Sequence, residues 1–291
     1  MKKVLITGAN GFLGQHLSFF LTDANFAITA TGRGHRRLQE GSIAYQSVEL
    51  TNRKEVEVLL QKIGPDVVIH SAALSKPDEC ENDRNRCIDI NVNATRYLLE
   101  ATNGHFIYLS TDFVFGENGP HSEDDKAHPL NFYGESKLRA EELIKQSGKR
   151  ATIVRPVFMY GKIWEGMKPT FIHWIKNSLE QEKIIKVVSD QWRTPTYVQD
   201  ICKGIEQIIT RQAKGIYNLA GEEILTPYDM AVHVANVLKL DSSLIEKVTA
   251  DTFSEPVKRA SRSGLKIDKA KIELGYNPIS FEDGVSRTFD V

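Results

Sequence analysis

The chain has 291 residues, 41% of them hydrophobic and 26% charged, enough to bury a full core in one or two domains. Its 37 Lys and Arg nearly balance its 38 Asp and Glu, for a formal net charge of -1, which argues against a nucleic-acid partner and its usual basic excess. No stretch approaches the ~20 apolar residues that a membrane span needs, and the apolar run after the two N-terminal lysines is too short for a secretion signal. A cytoplasmic protein with no membrane partner is therefore expected.

Short β-branched runs and longer amphipathic stretches alternate from the first residues. Strands are predicted over Lys3–Thr7, Ala27–Thr31, Ala44–Ser47, Val67–His70, Phe106–Ser110 and Thr152–Arg155. Helices are predicted over Phe12–Leu21, Lys54–Ile63, Ile88–Thr102 and Phe132–Gln146. Such alternation implies βαβ units, and so a doubly wound parallel α/β sheet of the Rossmann kind, with ligands at the carboxyl ends of its strands. After about residue 160 the pattern becomes irregular, and all three tryptophans fall there. The division expected is a dinucleotide-binding domain over 1–160 and a smaller substrate-binding portion over 161–291. A segment near 195–222, with strand Ile216–Leu219, is expected to rejoin the main sheet.

The first strand runs into Gly8-Ala9-Asn10-Gly11-Phe12-Leu13-Gly14 and then a helix. In this G-x-x-G-x-x-G pattern Gly8 permits the turn, Gly11 admits a pyrophosphate to the backbone, and Gly14 allows close helix–strand packing. The helix N-terminus behind the loop favours phosphate charge. At the end of the second strand a carboxylate would mark a ribose hydroxyl, but the chain reads Thr31-Gly32-Arg33-Gly34. Arg33, helped by Arg36 or Arg37, is the candidate for a 2′-phosphate, which favours NADPH with NADH as the alternative.

Tyr133 has a lysine four residues later, Lys137, on the same face of a predicted helix. An ammonium beside the phenol would lower the tyrosine's pKa toward working pH, so that Tyr133 could donate a proton to a carbonyl oxygen. Thr111 ends the strand before it, where parallel sheets keep their active sites, and its hydroxyl could bind the same oxygen or simply cap a turn. The acidic run Glu123-Asp124-Asp125 reads as a solvated loop, and His70 as a packed histidine. Cys80, Cys87 and Cys202 fit no zinc or redox spacing and read as idle buried thiols. The eight histidines show no metal spacing, so no metal is expected.

The segments TGANGFLG (7–14), STDFVFG (110–116), YGESK (133–137) and VRPVFMYG (154–161) together resemble the extended short-chain dehydrogenase/reductase superfamily. DQWRTPTYVQDI (190–201), GIYNLAG (215–221) and Arg259-Ala260-Ser261-Arg262-Ser263-Gly264-Leu265 narrow the resemblance to the dTDP-4-dehydrorhamnose reductase family. It implies a catalytic set of Thr111, Tyr133 and Lys137, a cofactor lined by the glycine loop and by Ser71, Ala72 and Ala73, and a supporting Asn91. Substrate contacts are implied at Thr111, Asp112, Phe113, Arg193, Thr194 and Arg259. The chain departs from the family at Leu74-Ser75-Lys76-Pro77-Asp78 and at Arg259-Ala260, both on the substrate side. The resemblance implies an NAD(P)H-dependent reductase of a nucleotide-linked 4-keto sugar. An epimerase or dehydratase with tightly bound NAD, a non-catalytic regulatory subunit, and assembly as a homodimer stay open.

Overall fold

A computed structural model describes residues 1–38, 43–253 and 256–291. The elements in chain order are β1 (Lys3–Thr7), α1 (Phe12–Asp23), β2 (Ala27–Gly32), β3 (Ala44–Ser47), α2 (Arg53–Ile63) and β4 (Val67–His70). Then come α3 (Pro77–Asn82), α4 (Arg84–Ile88), a π-helical turn (Asp89–Asn93), α5 (Ala94–Ala101), β5 (His105–Leu109), α6 (Phe132–Gln146) and β6 (Ala151–Pro156). The rest of the chain holds β7 (Met159–Tyr160), α7 (Phe171–Glu180), β8 (Ile185–Val188), β9 (Thr196–Tyr197), α8 (Val198–Arg211), β10 (Gly215–Leu219), α9 (Pro227–Leu238), β11 (Ile245–Val248), α10 (Asp268–Leu274) and α11 (Phe281–Phe289).

Among the described residues seven strands form one parallel sheet in the order β10-β6-β5-β4-β1-β2-β3. The order reverses beside β1, where a doubly wound sheet opens its binding crevice. β4 and β5 are buried along their whole length, as strands covered on both faces must be. One face packs on α1 and α8 through Leu13, Leu17, Ile201 and Ile205. The other packs on α2, α5 and α6 through Leu59, Leu98, Ala140 and Ile144. A separate cluster built from α7, α9, α11, β8 and β11 fills the smaller lobe.

β10 pairs with β6 in parallel register, Ile216 opposite Ile153 and Asn218 opposite Arg155, so the chain returns to the main sheet after residues 157–214 have run mostly elsewhere. The predicted strands recur within a residue or two. The helix expected over Ile88–Thr102 recurs with an earlier start, at Arg84, with a π-helical turn at Asp89–Asn93 inside it and its end at Ala101. The expected solvated loop at Glu123 is also corrected. Its side chain is 9% exposed, and Oε1 accepts a hydrogen bond from the Asn218 backbone N–H of β10 at 2.9 Å. No helix among the described residues is long and apolar enough to cross a membrane.

Candidate active site

A cleft of about 750 Å³ opens at the carboxyl ends of β1, β2, β4 and β5. The glycine loop, Arg33, Arg37 and Ser71–Ala73 line one part of it, and Leu109, Ser110, Tyr133 and Lys137 the other.

Gly8 takes φ +69°, and a Cβ there would lie 2.6 Å from the Ala72 backbone nitrogen. A Cβ at Gly14 would lie 2.2 Å from the Gly8 carbonyl oxygen, so the start of α1 can sit against β1 only with glycine. At Gly11 a Cβ would meet only the Gly8 oxygen, at 3.1 Å, and would otherwise fill the cradle above the loop. α1 has no side-chain cap and no acidic residue in its first turn. Its first N–H groups and the positive end of its dipole are left for an anion, which fits a dinucleotide pyrophosphate.

Asn10 has a role the sequence did not reveal. Its amide nitrogen donates to Arg33 O at 3.3 Å, His35 O at 3.1 Å and Tyr45 Oη at 2.9 Å, while its Oδ1 accepts from Arg37 N at 2.9 Å. One side chain thus ties the basic loop after β2 to the glycine loop. Arg33 and Arg37 line the cleft, whereas Arg36 turns toward the Ile43 carbonyl at 3.1 Å. Ser71 donates to Thr7 O at 2.6 Å, holding the small-residue segment after β4 against β1.

α6 delivers the tyrosine and lysine. Asn131 caps it, its Oδ1 accepting from Gly134 N at 3.0 Å, and a Cβ at Gly134 would strike the Phe113 carbonyl oxygen. Tyr133 is buried, edge-on to Phe113 with ring centroids 5.4 Å apart, and Thr111 Oγ1 donates to Asp112 Oδ1 at 3.2 Å and accepts from Phe113 N at 3.2 Å. Lys137 is 2% exposed, donates from Nζ to Leu109 O at 2.6 Å, and lies 4.2 Å from the centre of the Tyr108 ring. Burial lowers its pKa to about 7, with Glu141 pulling the other way. Burial pushes the Tyr133 phenol above its ordinary range, with the nearby Thr111 hydroxyl opposing. The expectation that Lys137 lowers Tyr133 is therefore not met within the protein alone, because desolvation dominates and the Lys137 amine is turned to the Leu109 carbonyl.

Behind this pair stands a group that sequence reasoning missed. Glu141, one helical turn after Lys137, accepts from Ser110 Oγ at 2.6 Å and from Arg155 Nε at 2.9 Å. The i, i+4 spacing from Lys137 was the available signal. Asn91, on the π-helical turn, bonds the Leu74 backbone in both directions and donates to Ser136 Oγ at 2.9 Å. His70 is packed between Thr7 and Thr95, and burial lowers its pKa to about 3.

The substrate-side residues are less uniform. Asp112 is buried, bonded to Ser263 Oγ at 3.1 Å, and its pKa is raised by burial with Arg193 opposing. Arg193 donates to Trp192 O at 2.7 Å and to Gln191 Oε1 at 3.1 Å. Thr194, expected at the substrate, is 1% exposed, and its hydroxyl accepts from Leu265 N at 3.2 Å, so it braces the late segment instead. Arg259 is half-buried beside Lys258, whose carbonyl accepts from Asn131 at 2.9 Å. Among the described residues no cluster of His, Cys, Asp or Glu could hold a metal ion.

A family model described as the RmlD substrate binding domain matches residues 1–291. The chain belongs to this family. Across 298 residues this RmlD-family chain is 28% identical to dTDP-4-dehydrorhamnose reductase from Aggregatibacter actinomycetemcomitans, with 97% of this chain and 96% of the relative covered. It is 30% identical over 283 residues to methionine adenosyltransferase 2 subunit beta from Rattus norvegicus, with 94% and 82% covered. The crystal structure of dTDP-4-dehydrorhamnose reductase from Bacillus anthracis str. Ames in complex with NADP superposes with a TM-score of 0.87 at 27% identity, over 99% of each chain.

Proposed function

We propose that this RmlD-family chain is an NADPH-dependent oxidoreductase that reduces a nucleotide-linked 4-keto sugar. One observation carries the reading: a single cleft has the glycine loop and two arginines in one part and Tyr133 with Lys137 in the other. That arrangement fits a dinucleotide laid along the strand ends, pyrophosphate on the α1 N-terminus and a 2′-phosphate between Arg33 and Arg37. The NADP complex of the Bacillus anthracis relative supports the same cofactor.

A reduced nicotinamide bound there supplies the hydride. Tyr133 gives its phenolic proton to the C4 oxygen of the substrate, and burial keeps that proton in place until charge develops on the oxygen. Thr111, just past the end of β5, turns its hydroxyl to the same oxygen when substrate is bound. Lys137 lines the cleft, anchored by the Leu109 carbonyl, and would hold the nicotinamide ribose, while Asp112, Phe113, Arg193 and Arg259 form the sugar-nucleotide side.

The test is NADPH oxidation over a panel of nucleotide-linked 4-keto sugars. Turnover of at least one member, lost in Tyr133→Phe, supports the reading; NADPH binding without oxidation of any member counts against it. Copurification of stoichiometric NAD without net oxidation would favour an epimerase or dehydratase. A non-catalytic subunit is the second reading, favoured by the 30% identity to methionine adenosyltransferase 2 subunit beta. A stable enzyme partner recovered with no turnover on the panel would select it.

A further inference from the structure

Cys80 and Cys87 are both fully buried, and their sulfurs lie 2.7 Å apart. Residues seven apart on one straight helix would be separated by about 10 Å along its axis. The contact exists because the helix breaks at Asp83, where φ −136° and ψ 79° fold α4 back on α3. Asp83 then caps α4, accepting from Arg86 N at 3.0 Å. The thiols therefore meet through a specific turn of the chain.

The surroundings connect this pair to the cleft. Cys80 Sγ donates to Leu74 O at 3.3 Å, and the Asn91 amide reaches Cys87 Sγ at 3.4 Å while also holding Leu74 and Ser136. Ser136 Oγ donates to Tyr133 O at 2.7 Å. Ser75 and Ile90, next in sequence to Leu74 and Asn91, line the cleft itself.

We propose that Cys80 and Cys87 form a reversible dithiol–disulfide site that takes a hydroperoxide as its two-electron oxidant, and that closing it alters the adjoining wall of the cleft. Cys87 is the attacking thiol. Its contact with Cys80 draws its pKa down, with Ser136 and Asn91 adding to the effect against burial, while Cys80 is pushed up. The Cys87 thiolate attacks the peroxide oxygen, the O–O bond breaks, and a sulfenic acid and one water form. The Cys80 sulfur then displaces the hydroxyl as a second water and the S–S bond closes. Two thiols and one hydrogen peroxide thus become one disulfide and two waters. A hydroperoxide is small enough to enter by local opening of α3, which carries Cys80 and is only six residues long. Closure removes the S–H donor from Leu74 O and changes the sulfur that Asn91 touches, which disturbs the segment leading to Ser75.

To test the site, the whole protein is treated with hydrogen peroxide, denatured in an alkylating reagent, digested and mapped by mass. Two of the three thiols should be lost into a linked peptide joining Cys80 and Cys87, Cys202 should be alkylated, and dithiothreitol should restore all three. Alkylation of both Cys80 and Cys87 after peroxide overturns the site. Coupling to the cleft rests on the dinucleotide reading and is measured by NADPH titration of reduced and oxidised protein. The two Kd values should differ and reconverge on reduction; equal values overturn the coupling. Reduced protein that binds no NADPH sinks the dinucleotide reading, and the coupling with it, while the thiol map stands independently.

Discussion

The Glu141 carboxylate meets the Arg155 guanidinium at 2.6 Å, Oε2 to Nη2, with the two side chains 0% and 2% exposed. A second contact from Arg155 Nε makes the pair bidentate, and Ser110 shares the same carboxylate. This ties α6, which carries Tyr133 and Lys137, to β6 and to the end of β5. Glu141→Ala leaves a buried guanidinium without its carboxylate, and a loss of about 3–5 kcal/mol is expected. Urea unfolding checks it: the midpoint should fall for Glu141→Ala and largely recover when Arg155→Met is added to Glu141→Met. An unchanged midpoint in the single variant would refute the account.

Tyr133→Phe removes one oxygen and keeps the ring against Phe113. Turnover on the responding keto sugar is expected to fall by about 10²–10⁴, the usual contribution of a positioned proton donor. NADPH affinity and thermal stability should stay near wild type. Equal kcat in the variant would remove Tyr133 from the chemistry.

Lys137 has a folded pKa lowered to about 7 by burial, against about 10.4 in an unfolded chain. Between those values the unfolded state holds a proton that the folded state lacks, so stability rises with pH across this window and levels off below about pH 7. The expected observation is an unfolding free energy that climbs from pH 7 to 10 relative to Lys137→Met. A flat difference would mean that the ammonium stays charged in the folded protein.

Arg33→Ala should raise the KM for NADPH at least about tenfold, the order expected for one charge-assisted hydrogen bond, and leave NADH nearly unaffected. Asn10→Ala should act in the same direction, because Asn10 holds the backbone of the Arg33–Arg37 loop. Steady-state kinetics with both cofactors decide it. Parallel loss with NADH would assign these residues to general stability.

The sequence revealed the parts governed by local rules. Strand β1, the glycine loop and the Tyr133–Lys137 face follow from burial pattern, turn chemistry and helical spacing, each contained within a few residues. What it concealed depends on partners far along the chain. Glu123 looks solvated among its acidic neighbours, but its partner is Asn218, 95 residues away. Thr194 looks substrate-facing until Leu265 claims its hydroxyl. The kink at Asp83 that joins Cys80 to Cys87 leaves no break in composition, so seven-residue spacing reads as two separate thiols.

Because β10 lies along β6, a fragment cut near residue 160 would expose a raw strand margin with its amides and carbonyls facing water. Such a margin recruits other chains, so the excised N-terminal part should self-associate instead of standing as a free dinucleotide-binding module. Engineers who wish to graft a new sugar-binding portion onto this scaffold would have to carry β10 along with it.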